Sequence, residues 1–310
     1  MNDGVKREGL THPVQTWDPD RPWQHPAWRL GNVLDVRSQA AYRRVHLAPA
    51  VNIPLNGMTG VAESRDAEAL ERDLPSVFLP PHHEPLLVVA ERMSLAAALC
   101  DCLRERGRPA VEPCAPGPGD WERIPARALA HGTGRGHLWR PPAFLRAHAH
   151  LLPPPPAGPV VDLGSGSCRA TVWLAERGYQ TTAVDHQEST LALGRRLASS
   201  RQVECRFLVR DLRDPGQIPP GPWAAVLIFR YLERSLLRRL SELLPADGVA
   251  MVRTFRYVPG RKDLPARKHC LEAGDLLDLL PPADFRILVH QEDYDGDGLP
   301  AAGIIARRMD

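Results

Sequence analysis

From Pro159 to the end of the chain, short apolar runs of strand length alternate with amphipathic stretches of helix length, and that alternation admits few folds. The pattern predicts strands at 160–163, 180–184, 203–209, 224–229 and 248–255, with helices at 168–177, 189–199, 233–244 and 273–280. Two further strands, 285–291 and 303–307, follow one another without a helix, as an antiparallel closing hairpin requires. Strands joined through helices pair in parallel. The expected architecture is therefore α/β, a doubly wound, seven-stranded mixed sheet closed by an antiparallel hairpin.

The first half alternates more loosely. Strands are expected at 32–36, 50–54 and 86–90. A helix over 94–106 places Leu95, Ala98, Leu99, Cys102 and Leu103 on one face, and Gly107 stands where a helix-ending glycine belongs. Residues 1–28 carry Trp17, Trp23 and Trp28 among prolines and charges without periodicity and read as an ordered arm. The stretch 115–136 is small, polar and rich in glycine and proline, so a boundary belongs there. The expected organisation is an arm at 1–28, an α/β domain at 29–124, a linker at 125–137 and a second α/β domain at 138–310. A chain of 310 residues has room for two such domains.

Charge and cysteine usage narrow the function. Lys and Arg number 39 against 37 Asp and Glu, a net of +2, which counts against a nucleic-acid platform. No apolar run reaches the roughly 18–20 residues of a membrane span, and the polar start MNDGVKREGL lacks the apolar core of a secretory signal. Six cysteines without regular spacing make no disulfide framework, and the expectation is a reduced, cytoplasmic protein.

The segment VVDLGSGSCRATVWLAERGYQTTAVDHQ, residues 160–187, carries the chemistry. A buried strand runs into Asp162, Gly164 and Gly166 and then a helix, so the backbone can turn tightly and approach a ligand that side chains would exclude. Asp185 ends the next strand, where a carboxylate can accept both hydroxyls of a ribose, and Asp211 ends the third, within reach of an adenine amino group. A dinucleotide fingerprint would need a third glycine at position 169, which is Arg169.

The D-x-G-x-G after a strand resembles instead the first motif of class I S-adenosylmethionine (SAM) methyltransferases, which have a Rossmann-like fold. LWRPPAFLRAHAHLLP ahead of that motif, FRYLERSLL after the fourth strand and MVRTF in the fifth are similar to a subgroup that includes the tellurite-resistance methyltransferases; the resemblance covers 138–308. It implies SAM as cofactor. Asp162, Gly164, Ser165 and Gly166 would hold the methionine part, Asp185 and His186 the ribose, and Asp211 and Leu212 the adenine. Phe229, Arg230 and Tyr231 would line the methyl-transfer pocket. Two positions depart from the family: Cys168 stands where a third glycine is usual, and Ala170 where an acidic residue is frequent. Either Cys168 is a tolerated small residue at the helix start, or it marks weakened cofactor binding. Arg230 is open to two readings as well, a cation for an anionic substrate or an ion-pair partner of Glu233, with Tyr231 packed under the helix.

In the first half, VLDVRSQAAYRRVHLAPAVNIPL (33–55) resembles a rhodanese domain through its Asp-x-Arg, His46 and Asn-Ile-Pro strand. A sulfurtransferase of that kind needs a cysteine after the central strand, and counting back from Gly107 puts that position at Ala90. The resemblance thus implies a rhodanese-like module without its nucleophile, able to dock a protein partner, present a substrate or only stabilise its neighbour. Cys100 and Cys102 read as helix core.

Two patterns carry less. DYDGDG, 293–298, matches the first half of a calcium loop, but position twelve is Ile304 and strands flank it, so a hairpin turn is expected and no metal site. The basic run RKDLPARK, 261–268, reads as a solvated loop near the pocket, and Thr254 and Phe255 as strand-edge residues. The leading expectation is a methyltransferase for a small-molecule nucleophile, a thiol or chalcogen oxyanion. The alternatives are a pseudoenzyme scaffold or sensor that binds a partner through the first domain, and an RNA or protein methyltransferase.

Overall fold

The computed structural model describes residues 21–55, 73–134 and 136–310. Most of the arm expected at 1–28 lies outside them. The described residues divide into two compact units, one formed by residues up to Leu74 together with His82–Leu138, the other by Pro75–Pro81 together with Trp139–Asp310. The short piece Pro75–Pro81 thus belongs to the second unit although it interrupts the first in sequence.

The first unit is built on a four-stranded parallel sheet. Its strands are β1 (Val33–Asp35), β3 (Ala50–Asn52), β4 (Leu86–Val89) and β5 (Val111–Cys114), in the order β3-β1-β4-β5. A small antiparallel pair, β2 (His46–Leu47) with β6 (Leu129–Ala130), stands apart from it. The central strands β1 and β4 are buried throughout, as their unbroken apolar runs require. The helix Met93–Glu105 buries Ala96, Leu99, Cys100, Cys102 and Leu103, and Gly107 just beyond it has φ +78°.

The Asp-x-Arg pair has a structural task here. Arg37 Nε and Nη2 donate to the Asp35 carboxylate at 2.7–3.1 Å, and Nη2 also donates to the Val45 carbonyl at 2.8 Å. The guanidinium stacks over Trp121. Asn52 Nδ2 donates to the carbonyls of both Asp35 and Arg37, tying β1 to β3. A buried ion pair is tolerated when its remaining hydrogen-bonding positions are filled in this way. Trp23 and Trp28 pack against the same core.

The second unit holds a seven-stranded sheet in the order β12-β13-β11-β10-β7-β8-β9. Its strands are β7 (Val160–Leu163), β8 (Thr181–Asp185), β9 (Arg206–Val209), β10 (Ala225–Phe229), β11 (Val249–Phe255), β12 (Phe285–Tyr294) and β13 (Pro300–Arg308). All neighbours run parallel except β13, which is antiparallel to both β11 and β12. The sheet is therefore mixed and closed by the expected hairpin. The chain leaves β7 for β8 on one side and reaches β10 on the other, so a crevice opens at the carboxyl ends of these strands, where doubly wound sheets bind ligands.

The single helix expected at 233–244 is two short ones, Arg234–Leu237 and Leu240–Leu243. At the break the Arg239 amide bonds to the Leu236 carbonyl, three residues back, and the tighter turn keeps Leu236, Leu237, Leu240 and Leu243 in the core. Ahead of β7 the chain is α-helical over Ala143–His148 and tightens to a 3-10 turn over Ala149–Leu151.

The acidic run 293–298 makes the hairpin tip: the Asp295 amide bonds to the Leu299 carbonyl, the Gly298 amide to the Asp295 carbonyl, and Gly298 has φ +77°. Among the described residues no helix is long and apolar enough to cross a membrane.

Candidate active site

The loop after β7 depends on its glycines. The amides of Gly164 and Ser165 both donate to the Val184 carbonyl, at 2.9 and 3.0 Å, which folds the chain back over β8. Gly164 has φ +71°, and a Cβ there would fall 2.5 Å from the Tyr231 ring, so no other residue fits. Gly166 also has positive φ, with open space where a side chain would be.

Cys168 shares this left-handed geometry, φ +61°, and is fully buried. Its thiol donates to the Gly166 carbonyl at 3.3 Å and packs among Ala183, Leu191 and Phe207. Burial pushes the thiol up to about 12. The room it occupies is left by Gly194, where an added Cβ would come within 2.8 Å of the Cys168 Cβ and closer still to its sulfur. Ala170 is buried in the core beside it, and Thr171 donates through Oγ1 to Asp162 Oδ2 at 2.7 Å.

The acidic residues differ sharply in setting. Asp162 is buried, and desolvation raises its carboxyl to about 7. Asp185 ends β8 with Oδ2 accepting from the Gly166 amide and Oδ1 from the Gln187 amide, each at 3.0 Å. His186 Nδ1 lies 3.3 Å from Oδ1. Asp211 is exposed and held by Arg213, whose Nε and Nη2 donate to its carboxylate at 2.7–3.2 Å; those bonds pull the carboxyl down to about 2. Leu212 beside it is buried.

These elements enclose a cavity of about 640 Å³. Gly164, Asp185, His186, Asp211 and Leu212 border it from the ends of β7, β8 and β9. Arg230, Tyr231 and Phe255 border it from the ends of β10 and β11, with Pro265 and Lys268 from the loop beyond. Asp162, Ser165 and Gly166 are not among its bordering residues. Asp162 is buried at the end of β7 and holds Thr171 of the helix that follows the loop. Phe229, expected in the pocket, packs instead into the cluster of Phe144, Ala225 and Leu227.

Arg230 has φ +56°, unusual for a side-chain-bearing residue. Its guanidinium pairs with Asp295 at 3.1 Å and with Asp297, not with Glu233 as one of the two readings had it. Glu233 instead caps the following helix, accepting from the Ser235 amide at 3.1 Å. Arg253 on β11 pairs with Asp293 and Asp295, each at 2.6 Å. The hairpin's carboxylates thus serve two arginines. Among the described residues no group of His, Cys, Asp or Glu is arranged to hold a metal ion.

Phe255, read from sequence as an edge residue, borders the cavity, and so does Lys268 of the basic run. The signal for Phe255 lay in the strand order: the end of β11 adjoins that of β10, at the same rim. Arg213 and Arg234 also border the cavity, and nothing local in the sequence marked them.

Residues 160–248 match the family model described as a methyltransferase domain. The matched stretch lies wholly within the second unit and takes in β7 to β10, with the glycine loop between β7 and the helix that follows. Over nearly the whole chain there is a relative in Schizosaccharomyces pombe, the uncharacterized protein UNK4.09. It is 23% identical over 337 residues, covering 89% of this chain and 93% of that protein. Two solved structures are similar to part of this chain. TehB from Haemophilus influenzae is 18% identical with a TM-score of 0.44; the likeness covers 53% of this chain and 61% of TehB, less than two thirds of its length. The magnesium protoporphyrin IX methyltransferase ChlM from Synechocystis PCC 6803, solved with bound SAH, is 16% identical with a TM-score of 0.41, over 54% of this chain and 78% of that one.

Proposed function

We propose that the cavity at the ends of β7 to β11 holds SAM and a small-molecule nucleophile, and that the chain methylates that nucleophile. One observation carries the reading: a single cavity is bordered by Gly164, Asp185, Asp211 and Leu212 on one side and by Arg230, Tyr231 and Phe255 on the other. The first set fits the cofactor. Two glycines at positive φ clear the backbone, and the Asp185 carboxylate keeps lone pairs free for ribose hydroxyls after accepting two amides. Leu212 offers an apolar surface and Asp211 an acceptor for an adenine amino group.

When bound, SAM supplies a methyl group on a sulfonium that carries its own leaving group. The protein's share is orientation and exclusion of water, effects worth up to about 7–11 kcal/mol when the geometry is right. Tyr231 lies against Gly164, and burial raises its phenol to about 12, so it stays protonated near neutral pH and serves as a wall and a donor rather than a base. A chalcogen oxyanion, or the thiolate fraction of a thiol, attacks without a base near pH 7, which suits a rim bordered by Lys268 and by the aromatic rings of Tyr231 and Phe255.

In this proposal the first unit is a rhodanese-like module without a nucleophile. Its support is the parallel sheet, the Asp35–Arg37 pair and the buried Ala90 after β4. The cofactor site is tested by calorimetric titration of the full chain with SAM and with S-adenosylhomocysteine (SAH). Micromolar binding of both is expected; a folded chain that binds neither would overturn the assignment.

A further inference from the structure

Arg169 opens the helix Arg169–Ala175, directly after the loop Gly164–Cys168, and among the described residues no carboxylate pairs with it. Its guanidinium ends on main-chain carbonyls: Nη2 donates to Ser76 at 2.8 Å and Leu79 at 3.4 Å, and Nε to Val77 at 3.3 Å. Desolvation lowers this cation to about 10. A partly buried cation facing only neutral carbonyls is a costly arrangement, and a planar fork of donors is what lets one side chain gather three of them.

The carbonyls belong to the 3-10 turn Ser76–Phe78, in the segment Pro75–Pro81 that packs with the second unit. Val77 is buried with Leu174, Leu197 and Ala198, and the Phe78 ring lies under the Arg196 guanidinium. At both ends, Leu74 and His82, the chain continues into the first unit.

The neighbouring loop has reason to need an anchor. Gly164, Gly166 and Cys168 all sit at positive φ, and the helix that follows has seven residues and no side-chain cap at Cys168. So short a helix is marginal by itself. Its first residue is the loop's exit, and that residue is fixed by Pro75–Pro81.

We propose that Pro75–Pro81, clamped by Arg169, positions the cofactor loop, so that the first half of the chain contributes to SAM binding without touching SAM. This rests on the placement of SAM in the cavity that Gly164 borders. Arg169 is a positioning residue in this arrangement, and its conservative replacement separates position from bulk.

The test titrates SAH into the full chain and its variants. Arg169→Met keeps the stem and removes the donors; affinity is expected to fall about ten-fold, the scale of one charged hydrogen bond. Arg169→Lys, which restores a donor, should recover part of that loss while the unfolding midpoints of the two variants stay alike. Unchanged affinity in Arg169→Met would overturn the proposal. A second measurement needs no variant: linkage requires that what steadies the loop is steadied by its ligand. In the native chain SAH should slow hydrogen exchange at the Phe78 and Leu79 amides, which bond to Pro75 and Ser76. No slowing in protein that binds SAH would overturn the coupling, and no SAH binding by the native chain would overturn the site itself and this proposal with it.

Discussion

β4 in the first unit and β7 in the second are both interior strands flanked by parallel neighbours, each followed by a helix, yet the chain leaves them differently. After β7 the chain passes through two glycines at positive φ and one cysteine in the same conformation, and a cavity opens beside them. After β4 comes Ala90, fully buried, its amide bonded to the Cys114 carbonyl, and then Glu91 and Arg92 with no glycine before the helix starts at Met93. Burial pushes the nearby Cys114 and Cys100 thiols up to about 12, so neither is a thiolate at neutral pH. A strand end in an α/β sheet becomes a site through the loop that leaves it. The sheet alone does not make one.

The sharpest break in that comparison is expected from Asp185→Ala. It removes the proposed ribose acceptor and the partner of the Gly166 amide together. SAH affinity should fall about a hundred-fold, the equivalent of two charged hydrogen bonds, with the fold intact by circular dichroism. Affinity equal to that of the native chain would mean that the glycine loop is not where the cofactor sits.

Next in size is the pairing of Cys168 with Gly194. An alanine at 194 would gain about 1 kcal/mol of helix propensity but would overpack against the buried sulfur, at a cost of about 1–3 kcal/mol. Gly194→Ala should therefore destabilise the chain, and Cys168→Gly in the same chain should relieve it. A coupling of about 1–2 kcal/mol in denaturant unfolding is expected from the four-protein cycle. Simple additivity would show that Cys168 has slack around it and that its departure from the family pattern has no structural partner.

That pairing also shows what a sequence can disclose. β7 is visible as Val160–Leu163 because an apolar run between a glycine-proline pair and a glycine loop has little else to be. The position of Asp185 at a strand end, on the rim of the cavity, is legible as well. The socket for Cys168 was hidden, because the residue that makes room for it is 26 positions later and on another element. Arg230 is a similar case: its carboxylates are 65 and 67 residues away, and sequence proximity to Glu233 suggested the wrong partner. Pro75–Pro81 was read as part of the first domain, since nothing local in it announces that Arg169 will gather its carbonyls.

Another effect is expected from pH. Asp162 is held protonated up to about 7 in the folded chain by burial, against 3.8 when unfolded. Below about pH 4 both states carry the proton and this carboxyl is neutral to stability. As pH rises toward about 7 the unfolded chain ionises freely while the folded one cannot, so stability is lost through that window and levels off above it. Asp162→Asn keeps an acceptor for Thr171 and removes the titration. Unfolding midpoints measured from pH 4 to 8 should therefore slope less for the variant than for the native chain. Parallel slopes would show that Asp162 ionises normally in the fold.

The least effect, and the one that bears most directly on the two strand ends, is expected from Ala90→Cys. If the rhodanese-like module proposed for the first unit lacks only a nucleophile, a thiol placed at 90 should yield thiocyanate from thiosulfate and cyanide. No such activity is expected. The position is fully buried, and the amide at 90 is already bonded to Cys114. A thiol there would be raised in pKa by the same desolvation that raises Cys114, and a persulfide needs a thiolate cradled by free amides. Measurable turnover by Ala90→Cys would mean that the loop 90–93 can open to form such a cradle, and the contrast with the glycine loop after β7 would then come down to a single side chain.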